Sequence, residues 1–140
     1  MATTAQNDII TVMQTPLMSL SSIDASDVNY INGMYDPVQG TPLLQAFMFF
    51  SESTQASLGT TGLQRYDGYM QIDICVPVGK GRSALNTITA ELMSTYKRGT
   101  TLTNANISVT CKRAWEGTPY SGDGWYVTPL NVRWYGYTTI

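Results

Sequence analysis

Residues 64–81, QRYDGYMQIDICVPVGKG, decide the fold. An apolar side chain recurs at every second position, at Met70, Ile72, Ile74 and Val76, and the side chains between them are Tyr69, Gln71, Asp73 and Cys75. A period of two over this length is typical of a half-buried strand. Because Pro77 has no N–H for a strand ladder, we expect the strand to end there or to lie at a sheet edge.

Two other segments show the spacing of amphipathic helices. Their apolar stripes are Ile9, Met13, Leu17 and Leu20 in the first and Leu85, Ile88, Leu92 and Tyr96 in the second. The first predicts a short helix from about Thr4, which Pro16 ends or kinks. The second predicts a helix that Ser83 caps and that runs to about Lys97, with Gly99 placed to adopt the left-handed conformation beyond its end.

Three further segments are predicted to contain strands. Residues 43–50, LLQAFMFF, are apolar on both faces apart from Gln45. This fits either a central strand covered by helices on both sides or a strand whose second face meets a neighbouring subunit. Residues 101–113 predict a short strand, a turn and a longer strand, and residues 125–137 predict the last strand. Within that last strand, Pro129 indicates a bulge or an edge position.

The order of elements predicts the fold class. Helix, strand, strand, helix, strand, strand is typical of an α+β two-layer domain, with a mainly antiparallel four-stranded sheet and two helices on one face (α-β-β-α-β-β). The length fits one domain over residues 1–140. Small polar and glycine-bearing residues predict loops at 19–27, 30–41, 51–62 and 116–124.

The composition argues against several kinds of chemistry. The chain has no histidine, the commonest general base and metal ligand. Its two cysteines, Cys75 and Cys111, are predicted on opposite sheet faces, so we expect free thiols in a reducing compartment. No cationic and apolar leader opens the sequence and no apolar run is long enough to span a membrane, so we expect the chain to be made and kept in the cytosol.

No catalytic constellation is predicted. Residues 78–83, VGKGRS, combine a glycine-rich turn with a helix start, but the Walker spacing is absent and a plain strand-to-helix turn is favoured. The carboxylates that could pair in a cleft are Asp67, Asp73, Glu91, Glu116 and Asp123, and nothing in the sequence shows that they converge. We therefore predict no enzyme activity, no cofactor and no metal site; an inter-subunit Mg²⁺ or Ca²⁺ has no support.

The charges are distributed unevenly along the chain. No lysine or arginine occurs before Arg65, and all eight basic residues follow from there. The split is either chance in a charge-poor chain or the mark of a molecule with acidic and basic sides, suited to head-to-tail packing in a ring. The basic residues form no dense cluster with interleaved aromatics, so specific nucleic-acid binding is not indicated.

An ordered set of motifs resembles a known family. The motifs are DPVQGTP at 36–42, RYDGYMQIDICVPVGKG at 65–81, RGTTL at 98–102 and DGWYVTPLNVRW at 123–134. Together, over residues 32–135, they are similar to the lambda-type tail terminator (tail completion) proteins of tailed phages and their small relatives. The chain departs from the family near its start, where Pro16 shortens the helix, so any helix-mediated contact there is in doubt.

The resemblance implies a structural role. Members of the family form a homohexameric ring that caps the tail tube, ends polymerisation of the major tail tube protein and offers a surface to a head-completion or stopper protein. DNA passes through the ring without sequence-specific binding, and no membrane is involved. The implied location is the head-proximal end of a siphovirus tail in the virion, after synthesis in the host cytoplasm.

Loops and aromatic residues supply the candidate contacts. Core packing explains Trp134 best, whereas core packing and an interface explain the other C-terminal aromatics equally well. The candidate contacts with a subunit or the tube are Tyr35, Glu52, Gln55, Arg65, Trp115, Tyr120 and Trp125. The alternative functions are another ring-forming head–tail joint protein, the tail tube protein itself, or a small nucleic-acid-binding or ligand-binding module.

Overall fold

A computed structural model describes residues 2–23, 28–30, 42–51, 54–55, 63–79, 83–104, 107–122 and 124–139. The helices are α1 (Ala2–Gln14), a 3₁₀ helix (Thr15–Ser19) and α2 (Ser83–Thr95). The strands are β1 (Val28–Tyr30), β2 (Leu43–Phe50), β3 (Thr54–Gln55), β4 (Leu63–Pro77), β5 (Thr101–Asn104), β6 (Ile107–Glu116), β7 (Tyr120–Gly122) and β8 (Trp125–Thr139).

The strands form one mixed sheet in the order β1-β2-β4-β8-β6-β5, to which β3 adds beside β4 and β7 beside β8. Every pairing is antiparallel except that of β1 with β2. The prediction of a mainly antiparallel α+β fold is confirmed. The count of four strands is wrong. It counted the two strands of residues 101–116 once, it missed β1, and β3 and β7 lie in segments that were expected to be loops.

The long pairing of β4 with β8 is the centre of the sheet. The two strands pair without a break from Leu63↔Thr139 to Pro77↔Trp125. The predicted alternation of β4 is confirmed, with Met70, Ile72 and Ile74 fully buried, and β4 ends at Pro77 as expected.

Both helices cover the same face of this sheet. Their predicted stripes are buried in one cluster with the inward residues of β2, β4, β6 and β8. The end of α2 is tied to α1, because the Tyr96 hydroxyl donates a hydrogen bond to the Met13 carbonyl at 2.5 Å. A layer of two helices on one face of the sheet is therefore confirmed. Neither helix in the described part of the chain is both long and apolar enough to cross a membrane.

A proline and a glycine stand beyond the ends of the two α-helices, as the sequence predicts. Pro16 stands in the first turn of the 3₁₀ helix that follows α1, where its missing N–H costs nothing. Gly99 has a φ of 87° in the turn that Thr100 closes by donating its N–H to the Lys97 carbonyl at 3.0 Å. Only a glycine adopts this φ without steric cost, which explains why the chain turns into β5 at this position.

Pro129 pairs with Asp73 inside the unbroken β4–β8 ladder. On the other side of β8 it has no partner, because the β6 pairing ends at Leu130 and the β7 pairing begins at Val127. The predicted bulge or edge position is therefore found on that side alone. The Pro129 carbonyl accepts the Gly117 N–H at 2.7 Å, which shows that its backbone polar groups point toward the gap between β6 and β7. No strand in that gap requires the N–H that proline lacks, and this is why a proline is tolerated in a central strand.

A β-bulge in β6 interrupts the regular pairing of β6 with β8. Cys111 pairs with Trp134 and Arg113 pairs with Arg133, so Lys112 is the additional residue of a β-bulge. Because of the bulge, Cys111 and Ala114 both contribute to the core, whereas Lys112 and Arg113 are both exposed. Two consecutive cations thus avoid the core without disturbing the strands on either side.

Candidate interface on the open face of the sheet

The sheet face opposite the helices, here called the open face, carries most of the unusual surface chemistry. Among the described residues no helix covers this face. Strand register brings distant residues into rows across it. One row runs Phe49, Tyr69, Arg133 and Arg113 through strands β2, β4, β8 and β6. Of the two alternatives for residues 43–50, helices on both sides of β2 are therefore not found among the described residues, and a second face that meets a neighbouring subunit stays a prediction.

Two aromatic rings at the β2 end of this row are exposed. The Phe49 and Tyr69 rings stack with centroids 4.7 Å apart, and their side chains are 40% and 38% exposed. A stacked pair of this kind presents a rigid apolar surface without further ordering cost. Exposed aromatic area of this kind typically marks a contact surface.

A second cluster forms around Arg65 near the far end of β4. Its guanidinium makes an ion pair with Asp67 at 3.0 Å and lies 4.7 Å from the centroid of the Tyr135 ring. A hydrogen bond to the Tyr137 hydroxyl at 3.3 Å completes its contacts. The hydrogen bond with Asp67 raises the pKa of Arg65 above its ordinary value. These contacts hold Arg65 as a fixed cation on the open face.

A third cluster forms around Trp115 on β6. The guanidinium groups of Arg113 and Arg133 lie 5.0 Å and 5.9 Å from the centroid of the Trp115 ring. These two arginines also stand directly opposite each other across the strands. Like charges in that position repel each other, and no described carboxylate forms an ion pair with either arginine. The cation–π contacts with the Trp115 ring offset part of this repulsion.

The corner where β4, β7 and β8 meet is apolar. Leu43, Cys75 and Val127 are buried there beneath Trp125, and Tyr120 on β7 is 55% exposed. Burial, followed by the charge of Asp73, raises the pKa of the Cys75 thiol to about 12. Desolvation, followed by the charge of Asp73 and then that of Cys75 when its thiol is ionised, raises the pKa of Tyr120 above its ordinary value. Cys75 is therefore a protonated structural thiol at neutral pH.

The other sites considered from the sequence behave as structural features. Cys111 is buried in the main core, which raises the pKa of its thiol to about 11, and both cysteines are free. Their predicted placement on opposite faces is confirmed. Among the described residues, no three histidine, cysteine or carboxylate side chains group closely enough to hold a metal ion. Residues 80–82 of the glycine-rich turn lie outside the described part of the chain.

Glu91 is not simply a solvated carboxylate. It accepts hydrogen bonds from the N–H groups of Ser21 and Ser22, at 2.7 and 2.8 Å, and from both of their hydroxyls. These bonds, led by that of the Ser22 hydroxyl, lower the pKa of Glu91 to about 2. The carboxylate therefore ties α2 to the segment that follows the 3₁₀ helix.

Comparison with known families identifies the chain. The model of the phage tail terminator protein family matches residues 8–134, almost the whole sequence. The chain belongs to the phage tail terminator family. The family is one of structural phage proteins without known catalysis, so this terminator is a component of the virion tail, and membership implies tail tube partners.

Solved structures support the fold of this terminator. Nine chains of solved structures match it significantly. One of them has a TM-score of 0.71 at 20% sequence identity, and the alignment covers 96% of this chain and 95% of the other. At this identity the likeness concerns the fold alone. No curated protein matches the terminator significantly.

Four of the seven candidate contact residues have described side chains on the open face of the terminator or at its corner, spread along β8 from Tyr137 to Trp125. Arg65, Trp115 and Trp125 are partly buried there, and Tyr120 is exposed. Trp115 and Tyr120 belong to β6 and β7, not to the loop between them.

None of the seven is tested as a contact, and the side chains of the other three lie outside the described part of the chain. The backbone of Gln55 pairs with Gln64 in β3, so part of the predicted loop at 51–62 is a strand. Tyr35 and Glu52 lie outside the described residues.

The sequence analysis missed the exposed pair Phe49–Tyr69 and the arginines around Trp115. One signal of their placement was present. Apolar residues occupy positions 107, 109 and 111, and the next apolar residue that faces inward is Ala114, three positions after Cys111. The period of two is therefore interrupted at Lys112 and Arg113. Such a phase shift indicates a bulge, and the bulge turns Arg113 and Trp115 to the face opposite Cys111.

Proposed function

We propose that this chain forms a homohexameric ring that caps the head-proximal end of the tail tube. The ring ends polymerisation of the major tail tube protein and offers its other side to a head-completion or stopper protein. The observation that carries the proposal is the family match over residues 8–134. DNA passes through the ring without sequence-specific binding, and the chain acts as a structural protein, not as an enzyme.

Capping requires a ring with two different sides. One side reproduces the stacking surface of the tube and binds its growing end. The other side lacks that surface, so the next ring of tube subunits finds no partner. Contacts around such a ring are heterologous, with two different patches of each subunit meeting its two neighbours.

The open face supports an assembly role. In the described part of the chain, its stacked Phe49–Tyr69 pair is left exposed, and aromatic residues of this kind carry much of the energy of protein interfaces. We assign this face to contact with a neighbouring subunit or the tube, with Arg65 near the far end of β4, Trp115 on β6, and Tyr120 and Trp125 at the apolar corner. Tyr35, Glu52 and Gln55 remain proposed contacts from the adjoining segments.

Molar mass in solution tests the proposal. Size-exclusion chromatography with light scattering, over a wide concentration range, is expected to show a species of six times the 15.4 kDa subunit mass. Negative-stain imaging of that species should show closed six-fold rings.

The alternatives give different results in the same experiment. A tail tube protein would stack into tubes on its own. A nucleic-acid-binding module would stay monomeric and would bind DNA with a steep salt dependence. A monomer that also forms no rings on the ends of added tail tubes would contradict the proposal.

A further inference from the structure

A strongly basic groove adjoins the open face, and its charged side chains form no ion pair within the described part of the chain. It encloses about 550 Å³ and is lined by Arg98, Gly99, Thr110, Cys111, Lys112, Arg113 and Tyr135. Three of these seven residues are cations, and all three are exposed. We call this feature the basic groove.

Backbone hydrogen bonds hold the cations of the basic groove in place. The Gly99 N–H donates to the Cys111 carbonyl, and the Cys111 N–H donates to the Thr100 carbonyl, both at 2.8 Å. These bonds fix the turn that carries Arg98 beside β6. The bulge then presents Lys112 and Arg113 together at the same point. The groove is therefore assembled by two rigid backbone features and does not depend on flexible side chains alone.

The charges of the basic groove are not neutralised within the described part of the chain. The single ion pair there is that of Arg65 with Asp67, so no described carboxylate lies within 4.0 Å of the groove cations. Lys112 and Arg113 rest 6.0 Å and 5.0 Å from the centroids of the Tyr135 and Trp115 rings. Arg133 adds a further charge directly opposite Arg113. Such a concentration of like charge costs free energy unless an anionic partner binds it.

The chain itself contains a matching anionic part. Residues 1–64 hold five acidic and no basic residues, a charge of −5, whereas residues 65–140 hold eight basic and five acidic residues, a charge of +3. A ring of identical subunits places one patch of each subunit against a different patch of the next. The two parts are therefore able to meet only between copies or by folding back on one subunit. Asp8 is the one acidic residue of this part that the structure describes, and no ion pair joins it to a described cation.

We propose that the basic groove binds the acidic part of a second copy of this chain, residues 1–64, and that this contact closes the ring. The inference rests on the proposed ring-forming function and names the interface that performs it. Opposite charges on the two contacting patches steer neighbouring subunits into one orientation and disfavour stacking of like patches.

Charge reversal tests the groove directly. Two variants reverse the charge of the groove, the double change Lys112→Glu/Arg113→Glu and the single change Arg98→Glu. Each is expected to raise the apparent dissociation constant of the ring by about tenfold or more, because the reversed groove repels the acidic part of the neighbouring subunit. Lys97→Glu is the matched control, since Lys97 is exposed next to Arg98 but does not line the groove. Circular dichroism and the thermal midpoint establish that each variant is folded.

A mixing experiment identifies the occupant. The variant Asp24→Lys/Asp27→Lys/Asp36→Lys reverses the acidic part and leaves the groove intact. Neither it nor Lys112→Glu/Arg113→Glu should form rings alone. An equal mixture should form them, because in an alternating ring every contact again joins opposite charges. Light scattering and imaging of the mixture provide the measurement, at low and high salt.

The outcomes separate this inference from the proposed function. If the wild-type chain forms no ring, the proposed function fails. If it forms rings and the groove variants assemble as well as Lys97→Glu, the groove inference is overturned while the proposed function stands. Groove variants that keep the ring but lose salt-sensitive binding of duplex DNA would also overturn the inference, in favour of a DNA phosphate as occupant.

Discussion

Gly68 shows how closely the strands approach within the core. A Cβ atom added at this position would lie 2.1 Å from the Phe49 carbonyl oxygen and 2.8 Å from a ring carbon of Trp134. The first contact is with the backbone of β2, which cannot move without shifting the ladder. Trp134 is fully buried and packs edge-on against Phe50 at 5.3 Å, so it cannot retreat either.

We therefore predict that Gly68→Ala destabilises the fold by about 1–3 kcal/mol, in the range of overpacked cores. Chemical denaturation provides the measurement. Gly122→Ala is the control, because nothing lies within 4 Å of the added Cβ there and its φ is not positive. Equal stability of the two variants would show that β2 and β4 are further apart than described.

Glu91 is the residue through which pH should act on stability. In the unfolded chain its pKa has the ordinary value of about 4.3, whereas four hydrogen bonds hold it at about 2 in the folded chain. Because the pKa of Glu91 is lower in the folded chain, its ionised carboxylate stabilises the folded state. This contribution to stability is complete at pH values above the pKa of the unfolded chain. That contribution is lost as pH falls from about 4 through 2.

Glu91→Gln should cost about 1–2 kcal/mol at neutral pH, because the amide accepts fewer and weaker hydrogen bonds. The difference in thermal midpoint between this variant and the wild type should shrink as pH falls through the stated range. Glu116→Gln, at an exposed position on β6, should leave the pH profile unchanged. Parallel profiles for the wild type and Glu91→Gln would refute the role of the carboxylate.

At the scale of elements, the bulge in β6 decides which side chains reach the open face. Removing Lys112 would leave Cys111 and Arg113 as neighbours opposite Trp134 and Arg133, which is the register of a regular ladder. We predict that deletion of Lys112 leaves a folded chain, within about 1–2 kcal/mol of the wild type. Deletion of Asn131 in β8 should instead prevent folding, because the one-residue slip turns the inward side chains on one side of the deletion outward.

Circular dichroism and thermal unfolding of the two deletion variants test this contrast. An unfolded Lys112 deletion would mean that the bulge is required for the fold itself and is not an insertion that serves the surface. A folded Asn131 deletion would mean that the β4–β8 register is not fixed by the buried face.

The stacked aromatic pair of the open face, Phe49 and Tyr69, joins the element β2 to the element β4. Replacing both rings, as Phe49→Ser/Tyr69→Ser, is expected to weaken ring formation or tube binding by about 2–4 kcal/mol, the cost of losing interface anchors. Light scattering and tube-binding assays measure the loss. Met18→Ser removes a side chain of the helical layer that is 60% exposed and should leave assembly unchanged. Identical behaviour of both variants would remove the open face from the interface.

Much of the fold was predictable from local patterns. The alternation at 70–76 and the stripes of α1 and α2 are properties of neighbouring residues, so periodicity alone reveals them. β1 was missed because three residues are too few for a period, and its parallel pairing with β2 depends on the tertiary fold.

The clusters of the open face were less predictable. Arg65 meets Tyr135 and Tyr137, about seventy residues later in the chain, only because β4 and β8 pair in a particular register. The statement that the basic residues form no cluster with aromatics is correct along the chain and wrong in space. The aromatic residues were recognised as candidates, but their cationic neighbours required the sheet topology.

At the scale of the whole molecule, the terminator has a helical layer and an open sheet face. The division of charge between residues 1–64 and 65–140 adds a polarity along the chain. A subunit with unlike surfaces is suited to heterologous contacts, which form closed rings when the rotation between neighbours completes a circle. These features agree with a subunit that assembles into a ring.

The growth of tail tubes in the presence of this chain tests the central claim most directly. Purified major tail tube protein is allowed to polymerise, the terminator is added at increasing concentrations, and tube lengths are measured by electron microscopy. We predict that growth stops at once, that lengths fall with terminator concentration, and that one end of each tube carries a ring. Tubes that grow at an unchanged rate, with no ring at either end, would contradict the account.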